Sequence, residues 1–205
     1  MSYLPSLLSG AVRLMVGAQP RWVGTLPSEE QRIYFANHTS HLDALAIWSA
    51  LPSELRLRTR PVAARDYWDK TRLRRYISQH GFRAVYLDRK PGASSSVGKR
   101  EHPLCPLFEA LDSGDSLIIF PEGTRNCEAL PQAFKSGLHH LAERYPQVRL
   151  VPVYLENLYR CMPKGKFWPL PLICTVRFGT TMERREAEHK ATFLERARQE
   201  VINLA

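Results

Sequence analysis

The chain has 205 residues, 44% of them hydrophobic and 24% charged, which suits one domain with its own core and excludes a disordered polyelectrolyte. Its 29 Lys and Arg against 20 Asp and Glu leave a net charge of +9, which favours an anionic partner: nucleic acid, an anionic membrane surface or a phosphorylated substrate. The four cysteines (Cys105, Cys127, Cys161, Cys174) form no Cys-x-x-Cys pair, so reduced, buried thiols of a cytosolic protein are expected rather than a thiolate zinc site.

Pro5 to Ala18 reads as a short amphipathic helix, with Leu7, Leu8, Ala11, Met15 and Ala18 in one apolar stripe and Pro5 in its first turn. Such a stripe lies in a membrane headgroup plane or packs on the domain's own core. Residues 1–20 are therefore set apart as a possible membrane-interface helix, and 21–205 as the main domain. No stretch reaches the roughly 20 apolar residues of a spanning helix, so a soluble or peripheral protein is expected.

Arg32–Ala36 reads as a strand and Leu42–Leu51 as a helix stopped before Pro52. Pro61–Ala64 reads as a weaker strand, Thr71–Gln79 as a basic helix and Ala84–Leu87 as a strand. Pro91–Ser96 reads as a loop. A helix over Leu104–Leu111 ends near Ser113-Gly114, and Ser116–Phe120 follows as a buried strand. Lys135–Arg144 reads as a helix. Arg149–Tyr154 reads as a strand whose Pro152 prefers an edge or a bulge. Ile173–Phe178 alternates with period two, and Glu186–Leu204 closes the chain as a helix. Alternating strands and helices imply a single α/β domain with a mainly parallel, mixed sheet flanked by helices.

In such sheets ligands bind at the carboxyl ends of strands. That rule selects Asn37–Asp43 and Pro121–Arg125. In the first loop, His38 in the turn and Asp43 in the first turn of a helix can meet, the carboxylate fixing one imidazole nitrogen and leaving the other as a base. Two other readings stay open there: Ser40-x-x-Asp43 as a helix capping box, and His38, His41 and Asp43 as metal ligands. In the second loop, Pro121 and Gly123 make a tight turn, Arg125 offers a planar fork for phosphate, and Glu122 orients that arginine or binds a substrate hydroxyl. Arg89, after the Ala84–Leu87 strand, is a candidate to join Arg125 around one phosphate. Lys135, at the start of the next helix, opposes the helix dipole unless an anion binds there.

Asn37-His38-(four residues)-Asp43, followed by Phe120-Pro121-Glu122-Gly123-Thr124-Arg125, resembles the glycerolipid acyltransferases, whose bacterial members include the 1-acylglycerol-3-phosphate (lysophosphatidate) acyltransferases. Val85–Arg89 resembles the block between these motifs and Val151-Pro152-Val153 the last block, so the resemblance covers residues 30 to 155. It implies a glycerol-phosphate-acyltransferase-like fold, His38 as general base and Asp43 as its partner. It also implies an acceptor site at Arg89, Glu122, Gly123 and Arg125, to which Thr124 and Lys135 are added. One departure is Arg83, where the middle block usually has glycine.

The implied reaction carries a fatty acyl group from an acyl thioester to the free hydroxyl of a lysophospholipid, turning lysophosphatidate into phosphatidate; another lyso-lipid is the alternative acceptor, and a metal-dependent hydrolase and a basic nucleic-acid-binding domain are the competing classes. The thioester is already activated, so no metal and no redox cofactor is expected. Coenzyme A or an acyl carrier protein brings the acyl group as co-substrate. The basic stretch Arg56–Arg75, with Tyr67 and Trp68, suits an anionic surface, and Lys164, Lys166, Phe167 and Trp168 make a second interfacial candidate. The expected place is the cytoplasmic face of the inner membrane, in peripheral contact. Nucleic acid is not an expected partner, since no recognised nucleic-acid motif accompanies the charge.

Overall fold

The computed structural model describes residues 4–65, 71–87, 102–126, 128–157 and 174–205. Seven strands form one sheet: β1 (Gln19–Trp22), β2 (Arg32–Ala36), β3 (Thr59–Ala64), β4 (Val85–Leu87), β5 (Ser116–Ile119), β6 (Arg149–Glu156) and β7 (Thr175–Phe178). Their spatial order is β1-β7-β6-β2-β5-β3-β4, and every neighbouring pair is parallel except β6 with β7. The fold is thus the expected α/β architecture with a mixed, mainly parallel sheet.

β2 is buried along its whole length and feeds two cores. Tyr34 and Ala36 face one, Ile33 and Phe35 the other, as a strand covered on both faces requires. The first core lies under α1 (Leu4–Val16), α2 (Asp43–Ala50) and α3 (Ser53–Leu57). Between β3 and β4 the short helix α4 (Arg72–Tyr76) runs on as a π-helical turn, Ile77–Gly81. The second core lies under α5 (Cys105–Asp112), α6 (Gly137–Arg144) and α7 (Lys190–Ile202).

The stripe expected along α1 divides. Ser9 and Val12 are buried, Arg13 Nε donates to the Ser49 carbonyl at 2.7 Å, and Arg56 bonds the Ser9 hydroxyl, so the helix docks on α2 and α3. Leu8 packs toward Gly81, where an added Cβ would lie 2.8 Å from its Cδ2. Leu7 and Leu14 stay 70% and 90% exposed, with Met15 beside them. β1 spans residue 20 and pairs with β7. No helix among the described residues is long and apolar enough to cross a membrane.

Pro152 is not on an edge strand, because β6 lies between β2 and β7. It does sit at a bulge. Val153 pairs with Phe178 and Leu150 bridges Met182, so three steps along β6 face four along the returning chain. Gly179 N–H donates to the Pro152 carbonyl there at 2.9 Å. The last helix starts later than its pattern suggests, because His189 caps it by accepting from Ala191 N–H at 3.3 Å.

The start of α7 is anchored by Glu188, whose carboxylate accepts from Arg196 at 2.8 and 2.7 Å. That hydrogen bonding, working against burial, holds its carboxyl down at about 2. A depressed carboxyl stabilises the fold above its unfolded value and loses that contribution as pH falls through its folded value. Glu188→Gln should therefore lower Tm at pH 7, with the gap to wild type closing between about pH 4.5 and 2 in thermal scans. A gap constant with pH would contradict the ion pair's role.

Candidate active site

β2 and β5 are adjacent and parallel, with Phe35 opposite Ile119, so the turns that follow them meet at one edge of the sheet. Asn37 fastens the first turn. Its Oδ1 accepts from Leu155 N–H at 2.8 Å and its Nδ2 donates to the Leu155 carbonyl at 3.2 Å, which ties the end of β2 to β6.

His38 and Asp43 come together. His38 Nδ1 lies 2.8 Å from Asp43 Oδ2, and the same oxygen accepts Thr39 N–H at 2.6 Å and Ser40 N–H at 2.8 Å. Asp43 is fully buried and the His38 side chain is 19% exposed. A carboxylate only accepts, so in the neutral ring the proton sits on Nδ1 and the lone pair on Nε2. Among the described residues no hydrogen bond engages Nε2. The His38 ring stacks on Phe120, centroids 4.2 Å apart, which holds its plane. The carboxylate that accepts Ser40 N–H at the start of α2 is thus the same one that meets the His38 ring. Amides of the turn are satisfied within it: Ser40 N–H bonds Asp43, Leu42 N–H bonds Ser40 Oγ and Asp43 N–H bonds the Ser40 carbonyl.

Glu122 points inward. It is 4% exposed, and its Oε1 accepts His38 N–H at 2.7 Å. Its Oε2 accepts from Gln132 N–H at 3.1 Å and from the Asn126 side chain. Asn126 N–H in turn donates to the His38 carbonyl at 2.9 Å. The backbone of His38 is therefore gripped on both sides by the second turn. No hydrogen bond or ion pair among the described residues links Glu122 to Arg125, so the expected pairing of those two is not seen. Asn126 and Gln132 lie outside the motif read from sequence; only their polarity beside it marks them.

The outer rim of the second turn is cationic. Gly123 has φ +71°, and a Cβ there would lie 2.7 Å from Lys135 Nζ. The Lys135 side chain thus crosses directly over the glycine, while Lys135 N–H donates to the Pro121 carbonyl at 2.9 Å. Lys135 precedes α6, which begins at Gly137, so the expected conflict with a helix start does not arise. Thr124 is exposed and Arg125 half-buried. Arg125 makes no hydrogen bond or ion pair with a described residue. Arg89, the Tyr67-Trp68 pair, the Pro91–Ser96 loop and Lys164–Trp168 lie outside the described residues.

Arg83 occupies a left-handed conformation, φ 49°, which explains why glycine suits this position. Its guanidinium reaches Asp115 at 3.3 Å, just before β5, and a single residue, Ala84, separates Arg83 from β4. It stands at the amino edge of the parallel strands, opposite the edge that carries His38 and Gly123.

Residues 22–156 match the family model described as Acyltransferase. The chain belongs to the acyltransferase family. It is 27% identical over 173 residues to the 1-acyl-sn-glycerol-3-phosphate acyltransferase of Limnanthes douglasii, covering 84% of this chain and 57% of that protein. It is 29% identical over 147 residues to the 1-acyl-sn-glycerol-3-phosphate acyltransferase alpha of Homo sapiens, covering 69% of this chain and 47% of that one. This acyltransferase chain thus spans about half the length of the curated relatives it matches. Its fold is also that of the 1-acyl-sn-glycerophosphate (LPA) acyltransferase PlsC of Thermotoga maritima. The TM-score to that crystal structure is 0.71 at 19% identity, covering 98% of this chain and 80% of the other.

Glu122→Gln would turn an amide donor toward groups that themselves donate, leaving a buried group unmatched at about 1–3 kcal/mol. A Tm fall of about 3–8 °C is expected in thermal unfolding. An unchanged Tm would place the carboxylate toward solvent instead.

Proposed function

We propose that the protein is an O-acyltransferase. It moves a fatty acyl group from an acyl thioester to the free hydroxyl of a lysophospholipid, with lysophosphatidate as acceptor and phosphatidate as product. The names of the relatives support the acceptor. The observation that carries the chemistry is the 2.8 Å contact of His38 Nδ1 with the buried Asp43 carboxylate, which leaves Nε2 as a positioned base.

His38 Nε2 takes the proton of the acceptor hydroxyl as its oxygen bonds to the thioester carbonyl carbon. The resulting imidazolium is stabilised by Asp43. The tetrahedral adduct collapses, the C–S bond breaks, and the leaving thiolate recovers the proton from His38. Atoms and charge balance without a metal or redox cofactor. Phe120 and the backbone grip from Glu122 and Asn126 keep the imidazole in place, so little reorganisation accompanies proton transfer.

Arg125 and Lys135 hold the acceptor phosphate, with Thr124 and, by the family resemblance, Arg89 as further acceptor residues. Glu122 serves the acceptor indirectly, by shaping the turn. The acyl group arrives on coenzyme A or an acyl carrier protein, both anionic and suited to a chain of net charge +9. The outward ridge of Leu7, Leu14 and Met15 on α1 enters the headgroup region of the cytoplasmic leaflet, which brings both fatty substrates to the site.

Wild-type protein in mild detergent should form phosphatidate from lysophosphatidate and one of the two acyl thioesters. His38→Ala should lose about 10²–10⁴-fold in kcat, the usual worth of a positioned base, and should lower Tm by a few degrees because it removes one donor from the buried Asp43 carboxylate. No turnover by wild type with either donor would sink the reading. Arg125→Ala should raise the acceptor KM with little change in kcat. A fall in kcat at constant KM would remove Arg125 from the phosphate site.

A further inference from the structure

α6 carries a cluster that the acyl-transfer site does not use: His139, His140 and Glu143. His139 is only 7% exposed, although it sits on a helix at the outside of the domain. Its Nδ1 is buried with no hydrogen-bond partner among the described residues. Glu143 Oε2 is 3.9 Å from it, beyond hydrogen-bond range. The ring is held by edge-to-face packing on Phe193 of α7 at 5.6 Å and meets the His140 ring at 5.9 Å. One ligand atom from each of the three side chains lies within 4.8 Å of the others.

We propose that His139, His140 and Glu143 form a binding site for a divalent transition metal of the Zn²⁺ class. Two imidazoles and one carboxylate are a donor set for Zn²⁺, with solvent in the fourth position, whereas Mg²⁺ and Ca²⁺ demand oxygen. Bonds of about 2.0–2.1 Å to a tetrahedral ion need ligand atoms roughly 3.3 Å apart. Rotation of the surface-facing Glu143 and His140 side chains closes the observed spread onto the fixed His139. A buried imidazole nitrogen without a partner is costly, and a metal bond satisfies it.

Burial above all, with Arg184, His140 and Lys190 assisting against Glu143, holds the His139 imidazole below its ordinary pKa. Arg184 and Lys190 also repel a dication, so the site binds more weakly than a closed structural zinc centre. Because all three ligands come from adjacent turns of one helix, the ion clamps α6 itself. That places it in the layer behind the sheet rather than in the acyl-transfer chemistry.

The test uses the full chain, stripped with chelator and titrated with ZnCl₂ by equilibrium dialysis and thermal unfolding. Saturable binding of a single ion in this cluster is expected. Tm should rise by roughly 5 °C when free Zn²⁺ exceeds Kd a hundredfold. His140→Ala and Glu143→Gln, both at surface-facing positions, should each weaken binding about tenfold or more. The double variant should lose the Tm response while keeping the apo Tm. Equal binding and equal Tm response in wild type and double variant would overturn the site, because the ion would then be held elsewhere. So would the absence of saturable binding by wild type. Neither readout depends on acyl transfer.

Discussion

A single carboxylate oxygen, Asp43 Oδ2, receives the His38 imidazole and the amides of Thr39 and Ser40 at 2.6–2.8 Å. Charge-assisted bonds of this length are stronger than neutral ones, and here water is excluded from the acceptor. The same contact shapes the turn, begins α2 and orients the imidazole. Its burial is offset by the donors that converge on Oδ2, while Oδ1 is buried with no hydrogen-bond partner among the described residues. The rest of the site is arranged so that this convergence is kept.

That arrangement depends on the sheet. β2 lies between β5 and β6, and parallel pairing brings the ends of all three to one edge. Asn37 binds the first turn to β6, while Glu122 and Asn126 bind it to the turn after β5. His38 is therefore fixed from two neighbouring strands rather than by its own loop. The cations Arg125 and Lys135 stay on the outer rim, separated from the buried carboxylates by the backbone of the second turn. This sorting of charge, with the carboxylates inside as clamps, suits the phosphate-bearing acceptor proposed above.

Much of this was legible in the sequence. The apolar runs of β2, β5 and β6 and the period of α7 mark their elements because each buries a continuous face. β1 was not legible: Gln19–Trp22 has no apolar pattern and is mostly exposed, its strand state imposed by pairing with β7. α3 was missed for a similar reason, being a single short turn after Pro52. His38 and Asp43 were readable as partners from their spacing across a helix start. The inward direction of Glu122 was not, because it is set by donors from Gln132 and Asn126, whose approach depends on the path of a loop. Arg83 looked like a departure near the acceptor, yet a parallel strand puts its start and end at opposite edges of the sheet.

The central claim is that Asp43 holds His38 in the tautomer with a bare Nε2. Ring ¹⁵N NMR of histidine-labelled wild-type protein at neutral pH, with His38→Ala for assignment, measures this directly. A His38 signal pair with a protonated Nδ1 and an unprotonated Nε2, lost in Asp43→Asn, is the predicted result. A neutral ring with its proton on Nε2 would contradict the account, since the base would then have no lone pair facing the acceptor.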